Sequence, residues 1–351
     1  MNKRSSSPKR TTSQDVAKRA GVSRSVVSAV LNGTPGIGVS QQTRDKVLAA
    51  IQELDYHVDS RARGMKTGRS MTLAAFGDTS HPLFMRMLEG MQRASEQEGY
   101  HLLLSSPSRG PAGESREELL ELYQQRRIDG IVTLDDTSYA DTDWAAKVKN
   151  SGAAYVSVEG YAEDERVHSV HANYRESIQA ALEYLWNPVS FTHTAPEYAE
   201  VFSLSHEGIV NWAEQQRRLG YEEWCSEKGL TPNISRHKQE EGKVDWHEWC
   251  QDRIAQQSAA PVLVNWSSAV PNLQRAAHSF GLRLGQDLLV MAADNTIQGD
   301  VLSVPTLSCV EIPYIEMGEA AVRQVLKQVR EPEIAPSKVW LPAILKPGES
   351  A

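Results

Sequence analysis

Apolar positions change their spacing twice along the chain, and the changes divide it into parts. Between Thr11 and Tyr56 they recur every three or four residues, in runs that fit one face of an α-helix. The first run, Val16, Ala17 and Ala20, is opened by Thr12-Ser13-Gln14-Asp15. There Thr12 can cap free amides and Asp15 sits at the positive helix end. Gly21 closes it, because a left-handed stop costs glycine little. Ser23 can cap a second helix whose inward face is Val26 or Val27, Val30 and Leu31. Pro35, Gly36 and Gly38 form a loop, Ser40 caps a third helix, and Val47, Leu48, Ile51 and Leu54 give its expected buried stripe. The spacing Ala17, Gly21, Val27 puts a small residue where helices touch, glycine at the turn and an apolar plug in the second helix. That is a helix-turn-helix, and it implies a DNA-binding module. An ordinary small bundle would not require motif, caps and charge to agree.

HVDSRARGMKTGRS, residues 57–70, has no such period and reads as a basic, glycine-containing linker. From Met71 short apolar runs alternate with amphipathic helices. MTLAAFG, YHLLLSS, DGIVTL and AAYVSVEG read as strands, with LFMRMLEGMQRASEQEG, SREELLELYQQRR and AAKVKNSG as the helices between them. NYRESIQAALEYLW reads as an amphipathic helix and VFSLS as a strand, and APVLVNW, RLGQDLLVMAADN with its strand DLLVMAAD, and TLSCVEIPYIEMGEAAVRQVLKQV complete the pattern. Strand-helix alternation implies parallel sheets covered on both faces.

Charge sharpens the division. Residues 1–70 hold 13 Lys/Arg against 5 Asp/Glu, a net of +8; with −8 for the whole chain, residues 71–351 carry −16. A basic end on an acidic body suits a protein whose one end meets DNA while the rest is repelled by it. At 351 residues and 40% hydrophobic content there is material for one small and one large domain, and no run approaches the roughly 18 apolar residues of a membrane span. MNKRSSSPKR, residues 1–10, has no apolar segment behind it and is expected to be a disordered basic tail, not a secretory signal. Cys225, Cys250 and Cys309 are odd in number and show no metal spacing, so reduced cytoplasmic thiols are expected. The expected location is cytoplasmic and, with a DNA-binding end, nucleoid-associated.

DVAKRAGVSRSVVSAVLNG followed by VSQQTRDKVLAAIQELDY resembles the headpiece of the LacI/GalR family of bacterial transcription regulators. The resemblance implies that the second helix lies in the major groove, where Arg24, Ser25 and Ala29 fall at the base-reading positions. Arg24 can pair bidentately with guanine; Ala29 offers only a methyl contact. Thr12, Ser23 and Ser28 fall where members touch phosphates, which set register and carry no sequence information. Residues 58–70 correspond to a hinge that becomes helical on operator DNA and wedges an apolar side chain into the minor groove. Met65 stands at the wedge position, where leucine is usual. Val58 replaces a common proline, and Gly64 weakens the helix by about 1 kcal/mol relative to alanine.

SHPLF, RRIDGIV and ANYRES resemble the family's core, which is related to sugar-binding proteins. The fold implied is an all-α helix-turn-helix headpiece, residues 11–57, on an α/β periplasmic-binding-protein-like core, residues 71–351, of two parallel-sheet lobes. Lobe 1 would span about 71–170 and 296–330, and lobe 2 about 171–295. Ligand would sit between them at the carboxyl ends of the strands. The resemblance implies Phe84 as an aromatic flank, Glu159 as a hydroxyl acceptor, Arg217 as a clamp with Arg218 its rival, and Asp294 as an anchor. It also exposes departures: Ala172 stands at a usual Asp, the phrase expected near residue 190 is missing, and Trp266 stands where members usually carry Asn. An indole can stack on a ligand or fill the cleft, but it cannot replace a two-ended amide. Trp212, Trp246 and Trp249 are further cleft candidates.

Catalysis finds no Gly-x-Ser-x-Gly, phosphate loop or paired His/Cys spacing; His193, His206 and His247 form no ligand pair. No cofactor and no metal are expected. The function implied is a ligand-responsive regulator, expected to repress, that binds a pseudopalindromic operator as a homodimer, with a sugar or sugar acid as effector. A leucine heptad, the mark of a tetramerising tail, is missing from KVWLPAILKPGESA. Competing readings are a regulator whose effector response is altered or lost, a solute-binding protein, and an enzyme with an added DNA-binding domain.

Overall fold

The computed structural model of the protein describes residues 11–32, 38–57, 68–79, 81–106, 112–135, 140–186, 194–203, 211–240 and 243–351. The tail 1–10, Met65 with most of the expected hinge, His193 and His206 lie outside the described residues. Two compact units divide at Ser70 and Met71.

The first unit holds α1 (Ser13–Ala20), α2 (Arg24–Asn32) and α3 (Gln41–Glu53). Thr12 and Asp15 form a reciprocal capping box at the start of α1, and Gly21 ends it at φ 65°. Ser40 caps α3 by accepting from the Thr43 amide. Val16, Ala17, Val27, Val30, Val47 and Ala50 form the buried centre. Leu48, expected in it, is half exposed, because 47, 50, 51 and 54 make the inward stripe and residue 48 falls a hundred degrees off Val47.

The second unit contains two sheets. Lobe 1 begins with β1 (Thr72–Phe76), α4 (Pro82–Gln97), β2 (His101–Ser105), α5 (Ala112–Gln124), β3 (Gly130–Leu134), α6 (Thr142–Ser151), β4 (Tyr155–Val158) and β5 (His168–Ala172). The chain crosses to lobe 2 with α7 (Tyr174–Leu185), β6 (Glu197–Ser203), α8 (Trp212–Lys228), β7 (Asn233–Glu240), β8 (Lys243–Val244) and α9 (His247–Ala255). β9 (Val262–Val264), α10 (Val270–Ser279), β10 (Val290–Ala292), α11 (Gly299–Leu302) and β11 (Ser308–Glu311) complete that lobe's main run. α12 (Tyr314–Arg330) and β12 (Lys338–Leu341) return to lobe 1, and β13 (Ile344–Lys346) ends in lobe 2. The strand orders are β12-β5-β4-β3-β1-β2 and β13-β11-β10-β9-β6-β7-β8. Every pairing is parallel except β11 with β13 and β7 with β8.

The expected lobe limits need correction here. Residues 296–312 belong with lobe 2, since β11 pairs with β10 through Met291 and Ser308, and residues 338–341 belong with lobe 1. A short buried strand reads the same in either sheet, so its apolar run could not assign it. β7, β8 and α9 follow the point near residue 190 where the expected family phrase is missing, and the apolar pattern does not announce them.

α4 and α12 cross closely on lobe 1. A Cβ added to Gly90 would lie 1.9 Å from the Ile315 carbonyl oxygen, and one at Gly318 would lie 2.1 Å from that of Met87. This contact seats α12 on the sheet and places Tyr314, its first residue, at the carboxyl ends of the strands.

Candidate functional site

In the helical unit, the start of α2 is the exposed end of the motif. Ser23, Arg24 and Ser25 are all exposed. The Ser23 and Ser25 hydroxyls lie 2.7 Å apart, and the Val26 amide donates to Ser23 Oγ at 3.4 Å. Arg24 donates from Nε to Ser13 Oγ at 3.0 Å, so it lies back along α1 and must leave Ser13 to reach a base. Thr12 is exposed and engaged in its capping box, while Ser28 is half-buried. Ala29 is 4% exposed, so its methyl cannot meet a base edge unless its cover moves. Arg19 and Glu53 tie α1 to α3 at 2.6 Å.

In the two-lobed unit, strand ends bring together Glu159, Tyr174, Arg217, Trp266 and Tyr314. Glu159 follows β4 in the left-handed region at φ 61° and is buried. It accepts hydrogen bonds from the Tyr174 hydroxyl and, at 2.9 Å, from the Tyr314 hydroxyl, and those hydroxyls are 2.9 Å apart. Burial, then the Glu159 charge, pushes both phenols well above their ordinary range, so both remain donors.

Arg217 arrives from α8. Gly220, one turn on, lets α7 approach so closely that an added Cβ would lie 2.9 Å from Arg175 Cα. That approach places the guanidinium 5.0 Å from the Tyr174 ring and 4.5 Å from the Trp266 ring. Arg217 is fully buried; Nη1 donates to the Asn265 carbonyl at 2.9 Å. Nε and Nη2 find no acceptor among the described residues. Burial opposes the charge, but Asp294 and the tyrosines Tyr174, Tyr314 and Tyr198 outweigh it and raise the pKa. Arg218, the rival, instead pairs with Glu200 and Glu222.

Asp294 is buried and already occupied. Oδ1 accepts from the Ser267 amide at 2.5 Å; Oδ2 accepts from the Thr296 amide at 2.9 Å and from the Thr296 hydroxyl. Asn265 is occupied too: its side-chain amide binds both the N–H and the carbonyl of Val201, at 2.9 and 3.0 Å, extending β6. Trp266 is half-buried and donates from Nε1 to Glu214 at 2.5 Å while one ring face carries Arg217. Phe84 is buried against Gly77 at the end of β1, in the same apolar cluster as Tyr174 and Tyr314. Beside Asp294, Asn295 Oδ1 is buried without a partner among the described residues, and Arg86 of lobe 1 reaches the Asn295 carbonyl at 3.5 Å.

Sequence reasoning missed Tyr174, Tyr314, Glu214, Arg86 and Asn295. Tyr174 and Tyr314 each open a helix just after a strand, at the carboxyl ends where ligand is expected to sit. Trp249, by contrast, bonds Glu197 at the opening of β6, away from the carboxyl ends, and Trp246 lies tilted against His237 with ring centroids 4.0 Å apart. Trp212 crosses the lobes and packs on His171 at 5.6 Å.

Residues 12–59 match the bacterial regulatory proteins of the lacI family, and residues 201–351 match a periplasmic binding protein-like domain. The HTH-type transcriptional regulator MalR of Streptomyces coelicolor is 27% identical over 348 residues, 96% of each chain. Catabolite control protein A of Staphylococcus epidermidis is 24% identical over 334 residues, 93% of this chain and 95% of that one. The lac repressor dimer bound to operator and the anti-inducer ONPF shares the fold at TM-score 0.76 and 20% identity, covering 97% of this chain and 99% of that one. The regulator CelR in complex with cellobiose does so at TM-score 0.63 and 20% identity, over 97% and 100%. No helix among the described residues is long and apolar enough to cross a membrane.

Proposed function

The chain belongs to the lacI family of bacterial regulatory proteins, and from that premise we propose a ligand-responsive transcriptional regulator that represses by binding a pseudopalindromic operator as a homodimer. The carrying observation is the exposed start of α2, with Ser23, Arg24 and Ser25 presented on a capped helix-turn-helix. One such module makes too few base contacts for a genome-scale search, so two are needed. Exposed apolar side chains, Met85 and Leu104 on lobe 1 and Val301, Leu302 and Val304 on lobe 2, are surface a second copy would cover. MalR is named a transcriptional regulator and its relative a catabolite control protein, which favours binding over turnover. A DNA-binding role would place the chain in the cytoplasm, on nucleoid DNA.

The test is selection of the full chain on randomised duplexes. Enrichment of two inverted half-sites is expected. Enrichment of single or unrelated sites would overturn the proposal.

The effector would enter between the lobes, where Arg217 Nε and Nη2 and Asn295 Oδ1 are buried with no hydrogen-bond partner among the described residues. Buried polar groups are almost always hydrogen-bonded, so these three atoms invite a polar ligand such as a sugar. Met65 and the hinge keep their proposed role in the minor groove. A second reading has its own support: Glu159, Asp294 and Asn265 are already engaged, by Tyr314, Thr296 and Val201 in turn, and Trp266 carries Arg217 on its face. Such a cleft accepts less than the family pattern implies, which favours an altered or lost effector response.

A further inference from the structure

β12 contributes a side chain that sheet pairing does not explain. Lys338 Nζ donates to three main-chain carbonyls, those of Tyr161 at 2.6 Å, Asp164 at 2.7 Å and Val167 at 2.6 Å. An ammonium has three protons, and these acceptors use all of them. The carbonyls are spread along residues 159–167, the loop between β4 and β5. Its start is conformationally demanding: Glu159 and Tyr161 are both left-handed, at φ 61° and 59°. Between them Gly160 packs so tightly that an added Cβ would lie 2.7 Å from both Asp135 Cβ and Ser157 Oγ. Non-glycine residues hold such a conformation only where their surroundings over-determine it. The loop's other ties are the Glu159 amide donating to the Val170 carbonyl at 3.0 Å, the Arg166–Asp164 pair within the loop, the tyrosine bonds to the Glu159 carboxylate, and the burial of Tyr161 and Val167 in an apolar cluster. Lys338 is the tie that reaches the loop from a distant strand.

We propose that Lys338 is a positioning residue of the ligand cleft. By gathering the Tyr161, Asp164 and Val167 carbonyls around one ammonium, it holds the loop in the turn that aims Glu159 at Tyr174 and Tyr314. The last strand of lobe 1 thereby fixes the acceptor that lobe 1 offers to a ligand. This rests on Glu159 belonging to the cleft, as proposed above.

Lys338→Met keeps length and apolar stem while removing the ammonium, and the full chain without ligand is the sample. Amide exchange of residues 159–167 should become roughly tenfold faster while β3 amides keep their rates. The carboxyl-carbon NMR signal of Glu159, identified by its loss in Glu159→Gln, should move toward that of exposed glutamates. Ammonium chloride, but not choline chloride, should reverse both changes in Lys338→Ala, because only ammonium can donate to the emptied carbonyls. If Lys338→Met does not fold, Lys338→Gln carries the same measurements, with smaller changes expected. Unchanged loop exchange, an unmoved Glu159 signal, or a uniform acceleration across lobe 1 would each overturn the proposal, the last by making Lys338 a stability residue alone. A failed thermal-shift screen of sugars would retire the ligand reading and leave these outcomes as informative as before.

Discussion

Replacing Asp294 by alanine removes an acceptor from the Ser267 amide, the Thr296 amide and the Thr296 hydroxyl together. Ser267 is fully buried, so its amide would lose its partner with no water to replace it, at about 1–3 kcal/mol. Thr296 is half-buried and can recover part of its loss from solvent, adding up to about 1 kcal/mol. The expected cost is therefore about 1–4 kcal/mol, before Arg217 loses the carboxylate that most favours its charge. For a domain of this size that lowers the melting temperature by roughly 2–15 °C. Asp294→Asn should cost less, since the amide oxygen can still accept from one backbone N–H while its NH2 faces the other. All eight tryptophans lie between residues 144 and 340, so their fluorescence during denaturation reports the two-lobed unit and not the headpiece. An alanine variant that melts within about 1 °C of the parent would refute the reasoning. The consequence for function is direct. Loss of ligand binding in Asp294→Ala would not establish a ligand contact, because the loop carrying Ser267 and its neighbour Trp266 depends on the same carboxylate.

Arg24→Ala should cost roughly 1–3 kcal/mol at one or two operator positions and relax selection there; an even loss with an unchanged sequence preference would make Arg24 a phosphate contact. Thr12→Ala should cost the headpiece about 1 kcal/mol, since half of a capping box is removed, and headpiece amide exchange would show no change if the cap were idle. Burial pulls the His171 pKa down to about 3, with help from Lys338, and the His237 pKa to about 4. Below the ordinary histidine value of about 6.5, the unfolded chain binds protons that the folded chain refuses, so stability is full above that pH. It is lost on acidification toward pH 4, by up to about 1.4 kcal/mol per pH unit per histidine. The double variant His171→Asn, His237→Asn should flatten that slope in urea denaturation, and an identical slope would contradict the assignment. Trp266→Asn removes the wall behind Arg217, and calorimetry against a panel of mono- and disaccharides should find binding created or broadened; an unchanged panel would show that Trp266 does not restrict the cleft.

The headpiece was legible because its signals are local. Thr12 with Asp15, Gly21 and Ser40 are caps whose meaning depends on a few neighbouring residues, and Val27 follows from helical spacing. Leu48 shows the limit, since an apolar residue next to a buried stripe looks the same whether it lies inside or outside it. In the core, strand-helix alternation revealed parallel sheets, but β11 could not be assigned to a lobe because pairing between distant strands leaves no mark in a short apolar run. The cleft was legible by position and not by state. Glu159, Arg217 and Asp294 could be placed at strand ends or on the following helix, while their occupation by Tyr174, Tyr314, Ser267 and Thr296 depends on contacts across the fold. Trp266 was visible as a departure; that its ring would back Arg217 was not.

The central claim is that this chain reads DNA sequence, and one comparison tests it most directly. The full chain is titrated, by fluorescence anisotropy at physiological salt, against its selected pseudopalindromic duplex and against the same composition scrambled. Specific binding should be tighter by at least about a thousandfold, because phosphate contacts alone serve both duplexes equally and only base and shape contacts separate them. Equal affinity for the two duplexes, with the same salt dependence, would contradict the account.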